Sequence, residues 1–390
     1  MTALTEFFLL LGALYLAECV LRAPRGAVAF VPWFWSGWRI LKGADFYGNP
    51  RWGFLLGNPA PGLGGAALCE LWPVSLSPEG AYSYVAQTFN PGQRHEQPSQ
   101  FHRFEDINQV EWADFTVFIN GEVFVKTAAP LFARRLAVVI RELARMPFEK
   151  RAAKIDQALR AALDVKSVRT RWEEYERATS WVGLWSDLLF GLFFLVSPAA
   201  AWWYGLAVAW PVLLLALAVL LVLAWVSYFL AHRRLYPEWK SDRLVHLAFM
   251  IPLPPATARA PAFLLRSLLS EFHPLALARV FCTPERFLEF AGAMLRDIEH
   301  PVVPVCPSEE LGPARTEEYF RGRLGAVVRE FVVAEGFQAD ALAAAPVREG
   351  EDHLSYCARC HCQFIIASGE CQTCNLPLEV FAGSAAAGRT

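Results

Sequence analysis

From Val212 to Val226 the chain carries no charged residue, and this run limits the possible folds more than any other feature. A helix rises about 1.5 Å per residue, so about 20 apolar residues cross a hydrocarbon slab of roughly 30 Å. The run lies inside a longer apolar stretch, 205–230, which follows closely on another, 181–201, interrupted by Pro198. Trp202, Trp203 and Tyr204 fill the connection, the place for amphipathic rings at a bilayer edge. The pair reads as a transmembrane hairpin, with a buried hairpin in a soluble protein as the alternative. A third apolar run, 3–21, has no Lys or Arg at its start and carries Glu6 and Glu18 near its ends. A cleavable signal peptide needs a basic start, so an uncleaved anchor helix is the better reading.

Composition agrees. Hydrophobic residues make up 55% of the 390 and charged residues 19%, against about 25% charged in soluble domains. A net charge of −2 excludes a polybasic nucleic-acid coat, and 14% aromatics excludes wholesale disorder.

Basic residues set the expected orientation, because short cytoplasmic loops collect Lys and Arg. Arg22, Arg25 and Arg39 follow the first run. Arg169, Arg171 and Arg177 precede the second, and Arg233, Arg234, Lys240 and Arg243 follow the third. The connection 197–204 has none. The expectation is an N-terminus outside, with 22–180 and 231–390 in the cytoplasm, in a bacterial cytoplasmic membrane. Asp187 falls within the second run. An intramembrane acid is a functional candidate, although near the edge it can reach water or a neighbouring helix.

A juxtamembrane segment, 22–49, leads into 50–147, which reads as antiparallel β structure. Short apolar runs (53–56, 71–76, 81–89, 115–119, 122–126) alternate with Gly, Pro and Asn clusters. Asn120-Gly121 supplies the two positive φ angles of a type I′ turn, so 115–125 is a two-residue hairpin. A helix closes the unit: Phe132, Leu136, Val139, Ile140 and Leu143 share one face, and Pro147 ends it. Strands followed by one amphipathic helix resemble the pleckstrin-homology-like domain over 50–145. That resemblance implies a barrel of a kind that often binds lipid headgroups or peptides, and it carries over no binding residue. A generic small α+β domain is the alternative.

Residues 148–180 continue as a basic helical connector. Within 134–177, twelve Arg or Lys face seven Asp or Glu, which suits either anionic lipid or a solvated face obeying the charge rule. Beyond the third run, a Pro-rich linker (231–262) precedes a helical segment, 263–336. There Pro274 is expected to interrupt a helix, Thr283-Pro284-Glu285 to start one, and Thr316 to cap another that ends at Gly336. His273 and His300, each before a proline, read as loop or helix-end residues. A second linker, 337–353, leads to the last folded unit.

Five of the nine cysteines fall within 18 residues: Cys357-Ala-Arg-Cys360-His-Cys362, then Cys371-Gln-Thr-Cys374. Two C-x2-C turns supply four thiolates for a closed tetrahedral site, and 363–367 with Ser368-Gly369 supplies a hairpin arm between them. The pattern resembles a zinc ribbon with rubredoxin-like knuckles over 354–381. The resemblance implies structural Zn2+ on Cys357, Cys360, Cys371 and Cys374. Such knuckles usually place Gly after the second cysteine, where this chain has His361 and Asn375. Iron, a disulfide pair and a redox C-x2-C are competing uses of the same thiols, and Cys362 is an alternative to Cys360. A motif this short cannot bury a self-supporting core. Cys19, Cys69, Cys282 and Cys306 read as apolar fillers, and 382–390 as a disordered tail.

No phosphate-binding loop, H-E-x-x-H zinc motif or nucleophile elbow is present, and Gly62–Gly65 reads as a loop. Only Arg359 is basic within 357–374, which argues against nucleic acid. The reading is an α+β membrane protein: three transmembrane helices, a small antiparallel β domain with a closing helix, a helical cytoplasmic segment and a C-terminal zinc ribbon. Its expected role is a non-enzymatic scaffold between the lipid bilayer and a cytoplasmic protein. An enzyme whose polar site is built from His95, His102, Glu105 and Asp106 is the alternative. Partner identity and oligomeric state stay open.

Overall fold

The computed structural model describes residues 5–11, 13, 40–41, 54–57, 66–69, 74–83, 100–114, 116–127, 130–237, 264, 271–281, 284–301 and 311–381. The remainder of the first apolar run, most of 22–53, His95, the linker 238–263, Cys19, Cys282, Cys306 and the tail lie outside the described residues.

The Asn-Gly turn forms as its chemistry requires. Asn120 has φ 51° and Gly121 φ 84°, and the turn joins β8 (Thr116–Ile119) to β9 (Glu122–Lys126) with Ile119 opposite Glu122. The Asn120 side chain accepts from the Asn108 and Gln109 amides at 2.9 and 3.1 Å and donates to the Asp106 carbonyl at 2.9 Å. That capping brings β7 (Val110–Ala113) onto the other edge of β8. Two further three-stranded antiparallel sheets precede it. One holds β1 (Ile40–Leu41), β2 (Phe54–Gly57) and β3 (Ala66–Cys69). The other holds β4 (Val74–Leu76), β5 (Gly80–Ser83) and β6 (Gln100–Arg103). Strand β1 lies in the expected juxtamembrane segment, and β6 and β7 were not legible as apolar runs because Gln, His, Arg and Glu interrupt them. Helix α1 (Pro130–Arg145) closes over β7 and β8, with Leu136, Ile140 and Leu143 at 1% exposure or less.

The basic connector splits. Helix α2 (Phe148–Ala162) ends, Asp164 accepts from the Lys166 amide, and α3 (Val165–Gly191) runs without a break into the second apolar run. Pro198 does not stop this helix. Proline lacks an amide hydrogen and its ring collides with the carbonyl four residues back. One wide turn, Leu192–Val196, removes the conflict, and the Ser197 hydroxyl donates to the Leu192 carbonyl at 2.7 Å. The chain continues helically as α4 (Ser197–Tyr204) and reverses at Gly205, φ 78°. It then returns alongside α3 as α5 (Leu206–Leu235). Within Ala207–Leu235 an 18-residue stretch has a mean hydropathy of 2.8 and is 11% buried. Among the described residues α5 is the one helix long and apolar enough by length and composition to cross a membrane.

The two segments flanking the hairpin fold together. Helices α6 (Pro274–Phe281), α7 (Pro284–Glu299) and α8 (Leu311–Ala334) share one buried apolar cluster with β4, β5, β7–β9, α1 and α2. The contact is also polar. The Ser77 and Thr316 hydroxyls meet at 2.9 Å, Ser75 donates to Glu317, and the His273 amide donates to the Ala162 carbonyl at 2.8 Å. Arg323 donates to Asp156 through Nε at 2.8 Å. Gly312 lies against Phe101, whose ring would be 2.7 Å from an added Cβ and would have to shift to admit one.

Several local expectations change for one reason: partners distant in sequence decide them. Pro274 begins α6 after the non-helical residues 271–273, and of the helix expected before it only Leu264 is described. Thr316 sits inside α8, five residues past its start, fully buried and bonded to Ser77. Pro313 falls in the first turn of α8, where a missing amide hydrogen costs nothing. Gly336 does end α8, at φ 89°, with the Phe337 amide on the Val332 carbonyl and the Gly336 amide on Val333. Inside the expected linker, α9 (Ala339–Ala343) packs on α7.

Candidate metal centre

The ribbon is a small sheet with two knuckles. Strand β10 (Ser355–Tyr356) pairs with β11 (Gln363–Phe364) and with β12 (Glu379–Val380). In the first knuckle the His361 amide donates to the Cys357 carbonyl at 2.9 Å, and the Cys357 amide to the Cys362 carbonyl at 3.0 Å. The second repeats this, Asn375 to Cys371 at 2.7 Å and Cys371 to Leu376 at 2.8 Å. The residue after each second cysteine must turn left-handed, and His361 (φ 60°) and Asn375 (φ 53°) both do so. For a histidine this conformation is uncommon; its ring packs edge-on against Tyr356, centroids 6.4 Å apart.

The turns converge as the spacing requires. The four sulfurs of Cys357, Cys360, Cys371 and Cys374 lie within 4.8 Å of one another, and Cys360 Sγ is 3.6 Å from Cys371 Sγ. Cys357, Cys371 and Cys374 are buried and Cys360 half-buried, while Cys362 is exposed and outside the set. Burial pushes the Cys357, Cys360 and Cys374 thiols up. In Cys371, burial is outweighed by amide hydrogen bonds from Cys374 and Thr373, and the thiol is pushed down. Four sulfurs at this separation suit a tetrahedral thiophilic cation, and four protein ligands leave no open coordination position. The donor set therefore fits a structural metal ion.

The centre is attached to the rest of the molecule through the residue between its first two ligands. Arg359 is 7% exposed and its Nε donates to Asp297 at 2.6 Å. Asp297 and its neighbour Arg296 belong to α7. Arg296 donates through Nε to the Arg359 carbonyl and through a terminal nitrogen to the Leu342 carbonyl, both at 3.1 Å. Burial pushes the Arg296 pKa down, while the nearby Cys360 and Glu299 favour its charged form. Nothing local in the sequence marks Arg296 or Asp297, because their partner lies about sixty residues away.

Among the described residues the other polar candidates have the following surroundings. His95 lies outside the described residues. His102 is half-buried with its ring 5.5 Å from Phe124, edge-on, and burial lowers its pKa. Glu105 pairs with Arg151 at 2.6 Å, and that hydrogen bond holds its carboxyl below the usual range. Asp106 is exposed and offers its carbonyl to Asn120. His273 is buried where α6 starts; its Nδ1 accepts from the Leu275 amide at 3.1 Å, and burial pushes its pKa down to about 3. His300 follows the end of α7. Of Asp187 only the backbone is described, within α3.

No family model matches the chain, and neither a curated protein nor a solved structure matches it.

Proposed function

We propose that this chain is a membrane-anchored, non-enzymatic scaffold whose cytoplasmic module carries a structural Zn2+ ribbon and binds a cytoplasmic protein. The observation that carries the reading is the common core of 74–163 and 271–343. Two segments that share one core must lie on one side of any bilayer the intervening hairpin enters. The basic residues flanking the hairpin make that side the cytoplasm. The ring of Phe8 lies 6.4 Å from that of Trp202 at the hairpin tip, which supports a third helix beginning on the outer side. Zinc is the metal of choice because four thiolates in a reducing compartment suit it, with iron the competitor.

Labelling of intact cells with an impermeant maleimide tests the sidedness. A Tyr204→Cys variant is expected to react at the hairpin tip, and Cys362 to react only after permeabilisation. Labelling of Cys362 in intact cells overturns the reading. Elemental analysis of purified full-length protein is expected to give one zinc per chain. For recruitment, co-purified proteins are compared with and without the last forty residues; an unchanged set removes the ribbon from partner binding.

A further inference from the structure

We infer that metal binding and docking of the ribbon onto α7 form one coupled equilibrium, with Asp297 and Arg296 acting as outer-shell positioning residues for the metal centre. The inference rests on the metal reading of the four thiols and goes beyond it, because a ribbon of this kind can fold on its metal alone.

The dock is made by the ligand loop itself. Ala358 and Arg359 are the two residues between Cys357 and Cys360. Arg359 projects from that loop into a nearly closed ion pair with Asp297, whose side chains are 8% and 12% exposed. Its carbonyl accepts from Arg296 Nε at 3.1 Å. The loop is thus held on both its side chain and its backbone by two consecutive residues of α7. Arg296 also donates to the Leu342 carbonyl of α9, so one guanidinium ties the ligand loop to both helices. At Gly292 an added Cβ would lie 2.9 Å from that same Leu342 carbonyl, so α9 sits close on α7.

Charge gives the coupling a direction. Four thiolates around a divalent ion carry net negative charge, whereas four thiols carry none. Arg296 and Arg359 lie against this centre, with Asp297 paired to Arg359 and Glu299 near Arg296. Loading the ion therefore favours the docked arrangement, and removing it leaves the arginines beside a neutral, unconstrained loop. A buried ion pair that loses its geometry leaves desolvated charges poorly compensated. Linkage makes the effect reciprocal: whatever docking adds to metal affinity, metal adds to docking. Outer-shell partners of metal ligands typically change affinity by about 10–100-fold when removed.

The test uses full-length protein in detergent and two readouts. Zinc affinity is measured by competition with a chromophoric chelator for wild type, Asp297→Asn and Arg296→Gln. Both variants are expected to lose affinity by about 10–100-fold. Hydrogen exchange of wild type before and after zinc removal is expected to show lost protection in the last turns of α7 and in α9, beyond the ribbon itself. The exchange arm needs no variant, so a variant that fails to fold leaves the inference exposed to refutation. Wild-type affinity in both variants, or unchanged α7 and α9 protection on zinc removal, overturns the coupling and leaves the metal site standing. Wild-type protein that binds no zinc overturns both.

Discussion

Around Leu136 and Phe287 the shared module buries dozens of apolar side chains from segments on both sides of the hairpin. In the ribbon the buried cluster is Cys357, Cys371 and Cys374, with Cys360, Phe364, Leu376 and Leu378 packed against it. The first region has surface enough to offset its own ordering entropy through the hydrophobic effect. The second does not: apart from the four donors, its buried apolar side chains are Tyr356 and Phe381 among the described residues. The comparison teaches that the two regions of one chain answer to different conditions. The module is expected to respond to changes in packing and the ribbon to changes in metal, with the Arg359–Asp297 pair joining the two regions.

The sharpest break to attempt is metal removal. Structural zinc contributes on the order of 10–16 kcal/mol in small peptides, so a chelator or Cys371→Ser is expected to abolish hydrogen-exchange protection across 354–381. The helical signal of the module should persist. A ribbon that keeps its protection without metal would erase the distinction between the regions. Next in size is Leu136→Ala, at a site 1% exposed. The loss is expected at about 2–5 kcal/mol, read as a lower denaturation midpoint, with zinc content per folded chain unchanged.

Acid gives the third effect. His273 is held neutral by burial, at about 3 against an ordinary 6.5. Only the unfolded chain takes up its proton as the pH drops below 6.5. The stability is therefore complete above that value and is lost on acidification toward 3, at about 1.4 kcal/mol per pH unit. His273→Asn keeps an acceptor for the Leu275 amide and is expected to flatten this part of the pH profile. An unchanged slope would remove His273 from the account. Asn120→Ala deletes three hydrogen bonds and leaves at φ 51° a residue without the polar side chain that favours the left-handed region. The expected cost is about 1–2 kcal/mol, confined to the β hairpin. Smallest is Asp156→Asn, which weakens a part-exposed pair with Arg323; no more than about 1 kcal/mol is expected.

How much of this was legible follows from the range of the interactions. The Asn-Gly hairpin, the apolar face of α1, the Gly336 stop and the four-sulfur site each depend on residues within a stretch of at most 18 positions, and the structure shows each. Residues 148–191 were misdivided because composition changes at 181 while the backbone ladder does not. Thr316 was misread because a hydroxyl before two acids looks like a helix cap, and only Ser77, 239 residues away, reveals its use.

The chain's own order of residues determined which segments are apolar, which cysteines can share an ion and where the backbone must turn left-handed, since spacing and local sterics settle those matters. Tertiary structure alone decided that 74–163 and 271–343 are one body, and that Arg359 meets Asp297 across the metal loop. Those outcomes depend on which desolvated surfaces and charges find each other in three dimensions, and no local pattern of residues encodes that choice.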